Sequence, residues 1–296
     1  MKKSFCLSFY LFVFSISSFS QTDSLKFQIE QIIKLKKAHV GFAMLGIETG
    51  EILSVNGQDH YPMQSVFKFH LALAILNGVD HGKLNLNQEI FIKKSDLLPE
   101  TWSPIRNKYP EGNVNLKLSE ILSYTVSQSD NNGCDILFRL IGGTGKVDDF
   151  FKKQGLTDIA IKATEHEMHQ DWNVQFTNWT TPQSAAELLR KFFKKEILSE
   201  KSTAFLWKIM VETSTGADRL KGKLPKSTEV SHKTGSSGHA DDGTTAAFND
   251  IGIVTLPNGN HYAIAVFITD SKEDDTTNAS IISDISKAAW DYFTKK

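Results

Sequence analysis

The chain has 296 residues, and its 33 lysines and arginines stand against 34 aspartates and glutamates, a formal net charge of −1. That balance excludes the whole-molecule positive field of a nucleic-acid or anionic-membrane binder. Hydrophobic residues at 40 % with charged residues at 23 % exclude wholesale disorder, and two cysteines, Cys6 and Cys134, exclude a disulfide-rich scaffold or a four-cysteine zinc site. The chain opens with Met1-Lys2-Lys3, followed by a nearly all apolar or small run from Phe5 to Phe19 and the small-residue pair of Ser18-Phe19-Ser20. This order describes an export signal, residues 1–20, cleaved after Ser20. Its apolar run falls short of the roughly 20 residues that span a bilayer as a helix. Export to the periplasm without stable membrane association is therefore expected. Cys6 leaves with the signal, and Cys134 is expected to be a small buried hydrophobe.

Leu25, Ile29, Ile32 and Ile33 recur at helical spacing, so a first amphipathic helix is predicted up to about Lys36. His39 to Ile47 and Glu51 to Val55 read as two strands joined by the turn Glu48-Thr49-Gly50. From Ser65 to about Glu212 the patterns are mostly helical. They include Ser65 to Leu76, Asn132 to Ile141 ending at Gly142-Gly143, Pro182 to Phe193 capped by Thr181, and Ser202 to Val211. Strands return at Glu229 to His232, Thr244 to Leu256 and His261 to Thr269, the last two joined by Pro257-Asn258-Gly259-Asn260. A closing helix carries Ile281, Ile282, Ile285, Ala289 and Tyr292. A two-stranded hairpin is too small to be stable alone. Pairing the N-terminal hairpin with the three C-terminal strands gives an α+β fold. It is one antiparallel sheet covered by the terminal helices, residues 21–60 and 214–296, with an all-helical lobe over 61–213.

Three short segments carry chemistry. In Gln64-Ser65-Val66-Phe67-Lys68 a spacing of three puts the Ser65 hydroxyl and the Lys68 ammonium on one helix face. Serine needs a neighbouring base to become a nucleophile, and a lysine serves if it gives up its proton. At a helix start the Ser65 N–H is also among the unpaired first-turn donors, available to an oxyanion. Taken alone, the same pattern describes a capped helix with a solvated lysine. Ser129-Asp130-Asn131 lies between two helices and alone reads as a loop with an N-cap. Lys233-Thr234-Gly235 ends a strand. Its lysine and hydroxyl suit a carboxylate and its glycine lets a ligand approach the backbone, though any strand ending in a turn reads the same way.

In this order, in an exported chain, the three segments resemble the motif set of the serine penicillin-recognising enzymes, class A β-lactamases and penicillin-binding proteins. The resemblance implies that Ser65 is acylated, with Lys68 as its proton partner. It further implies that Ser129 relays a proton to the leaving nitrogen and that Asn131 binds the substrate amide side chain. Lys233, Thr234 and Ser236 would hold the carboxylate, and the N–H groups of Ser65 and Ser236 would form the oxyanion hole. Class A enzymes carry Glu-x-x-Leu-Asn on an omega loop at the spacing where this chain has Glu165-His166-Glu167-Met168-His169. Glu165 is then the general base that deacylates, and Glu167 fits the spacing worse. Met168 and His169 replace Leu-Asn, which gives His169 a part in positioning the water or the loop. The arginine–aspartate pair that usually closes the loop is replaced by Ala163 and Asn178. With Gln64 before the nucleophile and Trp102 near the cleft, these departures resemble the PER and VEB extended-spectrum subgroup.

Many class A enzymes carry an arginine on the strand after Lys-Thr-Gly. The matching Phe248-Asn249-Asp250-Ile251-Gly252 has none, so Arg219 is expected to reach the site from the preceding loop, a surface ion pair being the alternative reading of that residue. His166 and His169 are three apart where the zinc motif His-Glu-x-x-His needs four, so no metal and no cofactor are expected. The resemblance thus implies a monomeric class A serine β-lactamase acting on small-molecule penicillins and cephalosporins, oxyimino-cephalosporins included. The alternatives are a DD-peptidase or penicillin-binding protein, and a covalent β-lactam sensor domain.

Overall fold

The computed structural model describes residues 21–295, so the signal reading of residues 1–20 lies outside the described residues. Five antiparallel strands form the main sheet, in the order Ile52–Val55, His39–Gly46, His261–Thr269, Phe248–Thr255 and Val230–Ser236. The N-terminal hairpin thus joins the three C-terminal strands, with His39 opposite Thr269 and Gly46 opposite Tyr262. Strand His39–Gly46 is buried at every position after His39 because both faces of the sheet are covered.

One face, through Phe42, Met44, Ile264 and Val266, packs on the terminal helices Gln21–Ile33 and Asp275–Thr294. The other, through Ala43, Leu45, Ile251 and Ile253, meets the helical lobe. At the centre of that lobe runs helix Phe67–Asp80, buried at every residue from Phe67 to Leu76. An apolar surface all round a helix is what a core position requires. Lys68 and His70 are its fully buried polar side chains.

Several boundaries differ from the periodicity. The first helix stops at Ile33, and Leu35 is exposed. Strand Phe248–Thr255 starts four residues after Thr244, because the Ser237 hydroxyl takes the N–H groups of Ala246 and Ala247 and interrupts the ladder. Strand Val230–Ser236 runs through Lys233-Thr234-Gly235 instead of stopping before it. The middle segment also holds short strands. Tyr61–Pro62, Trp179–Thr180 and Ile159–Ala160 form one small sheet, and Glu89–Ile92 with Val114–Lys117 another. The first of these tethers the chain just before Ser65 to the end of the loop that carries Glu165.

Candidate active site

The segment before helix Phe67–Asp80 is a 3-10 turn, Gln64–Val66, rather than regular α-helix. Gln64 takes φ +46°, a left-handed conformation that a non-glycine residue adopts only when its surroundings enforce it. Here the enforcement is a hydrogen bond of 2.5 Å from Gln64 Nε2 to Gln175 Oε1. The turn delivers Ser65 into a tight polar cluster. Lys68 Nζ donates to Ser65 Oγ at 2.9 Å, and Ser65 Oγ donates to Glu165 Oε1 at 3.3 Å. Lys68 Nζ and Glu165 Oε1 form an ion pair at 2.7 Å, with side-chain exposures of 0 % and 9 %. Lys68 also donates to the Ser129 carbonyl at 2.9 Å and to Asn131 Oδ1 at 2.5 Å. A buried ammonium is tolerated here because acceptors surround it.

Ser129 is the second strained residue of the site, at φ +59°. Asp130 beside it caps helix Asn131–Ile141 through the Gly133 N–H at 2.7 Å, and accepts from Ile105 N–H at 2.6 Å and from the Ser103 hydroxyl. Burial raises its carboxyl above the usual range. Asn131 Nδ2 donates to Thr101 Oγ1 at 2.7 Å, which links the motif to the loop bearing Trp102.

Lys233 Nζ, fully buried, donates to Ser129 Oγ at 3.0 Å and so joins the second motif to the third. Desolvation, reinforced by the Lys68 cation, lowers its ammonium well below the ordinary value of 10.5. The Thr234 and Thr215 hydroxyls share a hydrogen bond of 2.6 Å. Gly235 has no room for a side chain, since a Cβ there would sit 2.4 Å from the Met63 carbonyl oxygen and 3.3 Å from the Ser65 nitrogen. The strand can therefore run directly beside the Ser65 amide. Arg219 comes from the loop before this strand. Its Nη2 donates to Ser236 Oγ at 2.6 Å, and its Nη1 donates to the carbonyls of Gly235 at 3.0 Å and Asn249 at 2.8 Å.

Glu165 and Glu167 are held differently. Glu167 accepts from the Thr164 N–H and hydroxyl in a capping box and points to solvent, whereas Glu165 points to Ser65. The N–H groups of Glu165 and His166 both donate to Asp135, at 2.9 Å each. Burial, with the Glu165 charge second, raises the Asp135 carboxyl to about 6. Where an ion pair was missing from the sequence, Asn178 closes the loop. Its Oδ1 accepts from Lys162 and Ala163 N–H, at 2.7 and 2.9 Å, and its Nδ2 donates to the Ala163 carbonyl at 2.8 Å. Met168 packs beneath, while His169 is exposed at the rim.

A groove of about 530 Å³ opens over Ser65, lined by Trp102, Asn131, Glu165, His169 and Ser236. The Trp102 indole donates to the Gln128 carbonyl at 2.8 Å and is 59 % exposed. Of the residues singled out in the sequence, Ser65, Trp102, Asn131, Glu165, His169 and Ser236 line this groove, Lys68, Ser129, Lys233 and Arg219 connect to it through the hydrogen bonds above with Thr234 and Gly235 in the same strand, and Glu167 faces away from it. Sequence reasoning gave no role to Asp130, although it lies inside the second motif. It also missed Asp135, whose spacing of four from Asn131 on one helix face was a usable signal. Gln175, Asn249 and Asp250 carried no local signal.

A family model described as the β-lactamase enzyme family matches residues 24–293. β-Lactamase VEB-1 of Pseudomonas aeruginosa is 49 % identical over 288 residues, covering 97 % of this chain and 96 % of that one. Extended-spectrum β-lactamase PER-1 of the same organism is 46 % identical over 289 residues, covering 97 % and 94 %. Among solved structures, the TLA-1 extended-spectrum β-lactamase is 58 % identical with a TM-score of 0.91, covering 93 % of this chain and 100 % of that one.

Proposed function

The chain belongs to the β-lactamase enzyme family, as a class A serine enzyme of the PER/VEB group that hydrolyses β-lactams, and from this premise we propose how its residues divide the reaction. The Ser65 hydroxyl oxygen attacks the lactam carbonyl carbon, and its proton passes to the Lys68–Glu165 pair. The ring C–N bond breaks as Ser129, bonded to Lys233, relays a proton to the leaving nitrogen. Backbone N–H groups of Ser65 and Ser236 stabilise the oxyanion. Glu165 then takes a proton from water as the water oxygen attacks the ester, and Ser65 Oγ recovers its proton. Lys233, Thr234, Ser236 and Arg219 hold the substrate carboxylate, Asn131 its amide side chain, and Trp102 and His169 border the groove where that side chain lies.

The observation that carries this reading is the position of Ser65 Oγ, 2.9 Å from Lys68 Nζ and 3.3 Å from Glu165 Oε1. A carboxylate so close to Ser65 favours a β-lactam hydrolase over a DD-peptidase or a sensor, in which the acyl group from a β-lactam persists. Relatives named extended-spectrum support turnover of oxyimino-cephalosporins. In this reading residues 21–60 and 214–296 form the sheet lobe, 61–213 the helical lobe, and the groove is their seam. Removal of residues 1–20 delivers a monomer to the periplasm. No helix among the described residues is long and apolar enough to cross a membrane. Turnover of a chromogenic cephalosporin tests the scheme: wild type should complete many cycles per enzyme, and Ser65→Ala should form no adduct. A single stoichiometric burst from wild type would overturn it.

A further inference from the structure

Below the carboxylate-binding end of the groove lies a buried pair that the scheme does not use, His232 and Asp250. Both side chains are 0 % exposed. Thr234 stands directly opposite Asp250 across the two strands. Strand alternation therefore puts His232, Thr234 and Ser236 on one face with Phe248 and Asp250, and Lys233 on the other. Arg219 lies along that same face, its guanidinium 3.6 Å from the Phe248 ring centroid.

The way Arg219 is held is unusual for a buried cation. It is only 8 % exposed, yet its partners are two carbonyls, one hydroxyl and the face of a ring, and its Nε has none. Among the described residues no carboxylate forms an ion pair with it. Asp250 is the nearby anion that acts on it most strongly, against the desolvation that weakens its hold on a proton. Its carboxylate bonds elsewhere: Oδ2 accepts the N–H of Leu220, the residue after Arg219, at 3.2 Å. The Leu220 carbonyl in turn accepts from Ser286 Oγ of the closing helix at 2.8 Å. Leu220, the residue after Arg219, is thus held at both of its backbone polar groups. His232 Nδ1 faces both Asp250 oxygens, at 2.9 and 3.0 Å, and its Nε2 is buried without a partner. A proton on Nδ1 satisfies the carboxylate, whereas one on Nε2 would have no acceptor.

We propose that Asp250, oriented by His232, is the positioning residue for Arg219: it fixes the Arg219-Leu220 backbone through Leu220 and leaves the guanidinium charge for the substrate carboxylate. The proposal rests on the reading that Arg219 meets that carboxylate. A carboxylate in direct contact with the guanidinium would have competed with substrate; one bonded to the neighbouring N–H positions without competing. Phe248 limits the guanidinium from below, and the remaining donor capacity faces Ser236 at the groove.

The test measures KM and kcat for benzylpenicillin in the mature enzyme carrying Asp250→Asn, Arg219→Ala, or both. Asp250→Asn should raise KM about tenfold, the size of one lost charged hydrogen bond, with kcat within about twofold. In the Arg219→Ala background the same change should move KM by less than about twofold, because the residue it serves is gone. His232→Leu should raise KM similarly, and His232→Asn, which keeps a donor at the place of Nδ1, should recover most of that rise. These two variants carry the test alone should Asp250→Asn fail to fold. If Arg219→Ala leaves KM unchanged, the carboxylate role of Arg219 fails and this proposal with it. If Arg219→Ala raises KM but Asp250→Asn does not, or raises it equally in both backgrounds, only the positioning role fails. Equal KM values for His232→Leu and wild type overturn it as well.

Discussion

In the proposed scheme, replacing Glu165 by glutamine should separate the two halves of the reaction. The amide keeps the shape of the side chain but cannot take a proton from water. Lys68 keeps its place, because Ser65 Oγ, the Ser129 carbonyl and Asn131 Oδ1 still accept from it at 2.9, 2.9 and 2.5 Å. Acylation therefore continues, with Lys68 able to accept the Ser65 proton, while deacylation loses a positioned base. Such a base is worth about 10²–10⁴ in rate, or about 3–5 kcal/mol of barrier. The assay mixes Glu165→Gln with a cephalosporin and follows intact mass, then maps the adduct by peptide. The acyl-enzyme should sit on the Ser65 peptide and persist about 10²–10⁴ times longer than in wild type. Glu167→Gln is the control. Its carboxylate serves the Thr164 capping box, a place that glutamine also fills, so the change should leave both local stability and turnover nearly intact. Wild-type turnover by Glu165→Gln with a trapped adduct in Glu167→Gln would refute the assignment of the base.

Gly235→Ala should slow acylation about 10²–10³-fold, the value of an oxyanion donor, because its Cβ would press on Met63 O and displace the chain beside Ser65; stopped-flow acylation rates check this, and an unchanged rate defeats it. His70 is buried and its pKa falls from 6.5 to about 4, so the unfolded chain binds the extra proton between those values. Stability is then complete above about pH 6.5 and falls by about 3 kcal/mol as pH drops to about 4. His70→Leu should flatten that part of a urea-denaturation pH series, and an unaltered slope would count against it. Cefotaxime should be hydrolysed with kcat/KM comparable to that of a simple cephalosporin, and good benzylpenicillin turnover with negligible cefotaxime turnover would sink the breadth reading.

What the sequence made legible follows from range. The five sheet strands and the terminal helices announce themselves because each repeats an apolar pattern over several turns or alternations, and the closing hairpin adds Asn258-Gly259. Two-residue strands such as Tyr61–Pro62 and Trp179–Thr180 have no period to detect, yet their pairing ties the chain leading to Ser65 to the loop. The same limit applies inside the site. Ser65 and Lys68 share a helix turn, and so do Asn131 and Asp135, so local spacing relates each pair. Lys233 meets Ser129 across 104 residues and Arg219 meets Asn249 across 30, distances that only the sheet register and the loop path determine. Gln64 shows a further limit: nothing in glutamine announces a left-handed backbone, which is imposed by Gln175 from the omega loop.

The buried charges of the groove follow one physical division. Asp130, Asp135 and Asp250 are carboxylates whose partners include backbone N–H groups, those of Ile105 and Gly133, of Glu165 and His166, and of Leu220 respectively. A carboxylate satisfied in this way fixes a segment of chain without neutralising a cation. Asp130 orients the second motif, Asp135 the turn bearing Glu165, and Asp250 the turn bearing Arg219. Glu165 is the exception, since its carboxylate meets Lys68 and Ser65 directly. The division explains how Lys233 and Arg219 can be buried beside so many acids without forming an ion pair with any of them. It also explains why an amide is a poor substitute at Asp135: one carbonyl oxygen replaces two, and one of the two N–H groups that aim Glu165 loses its acceptor.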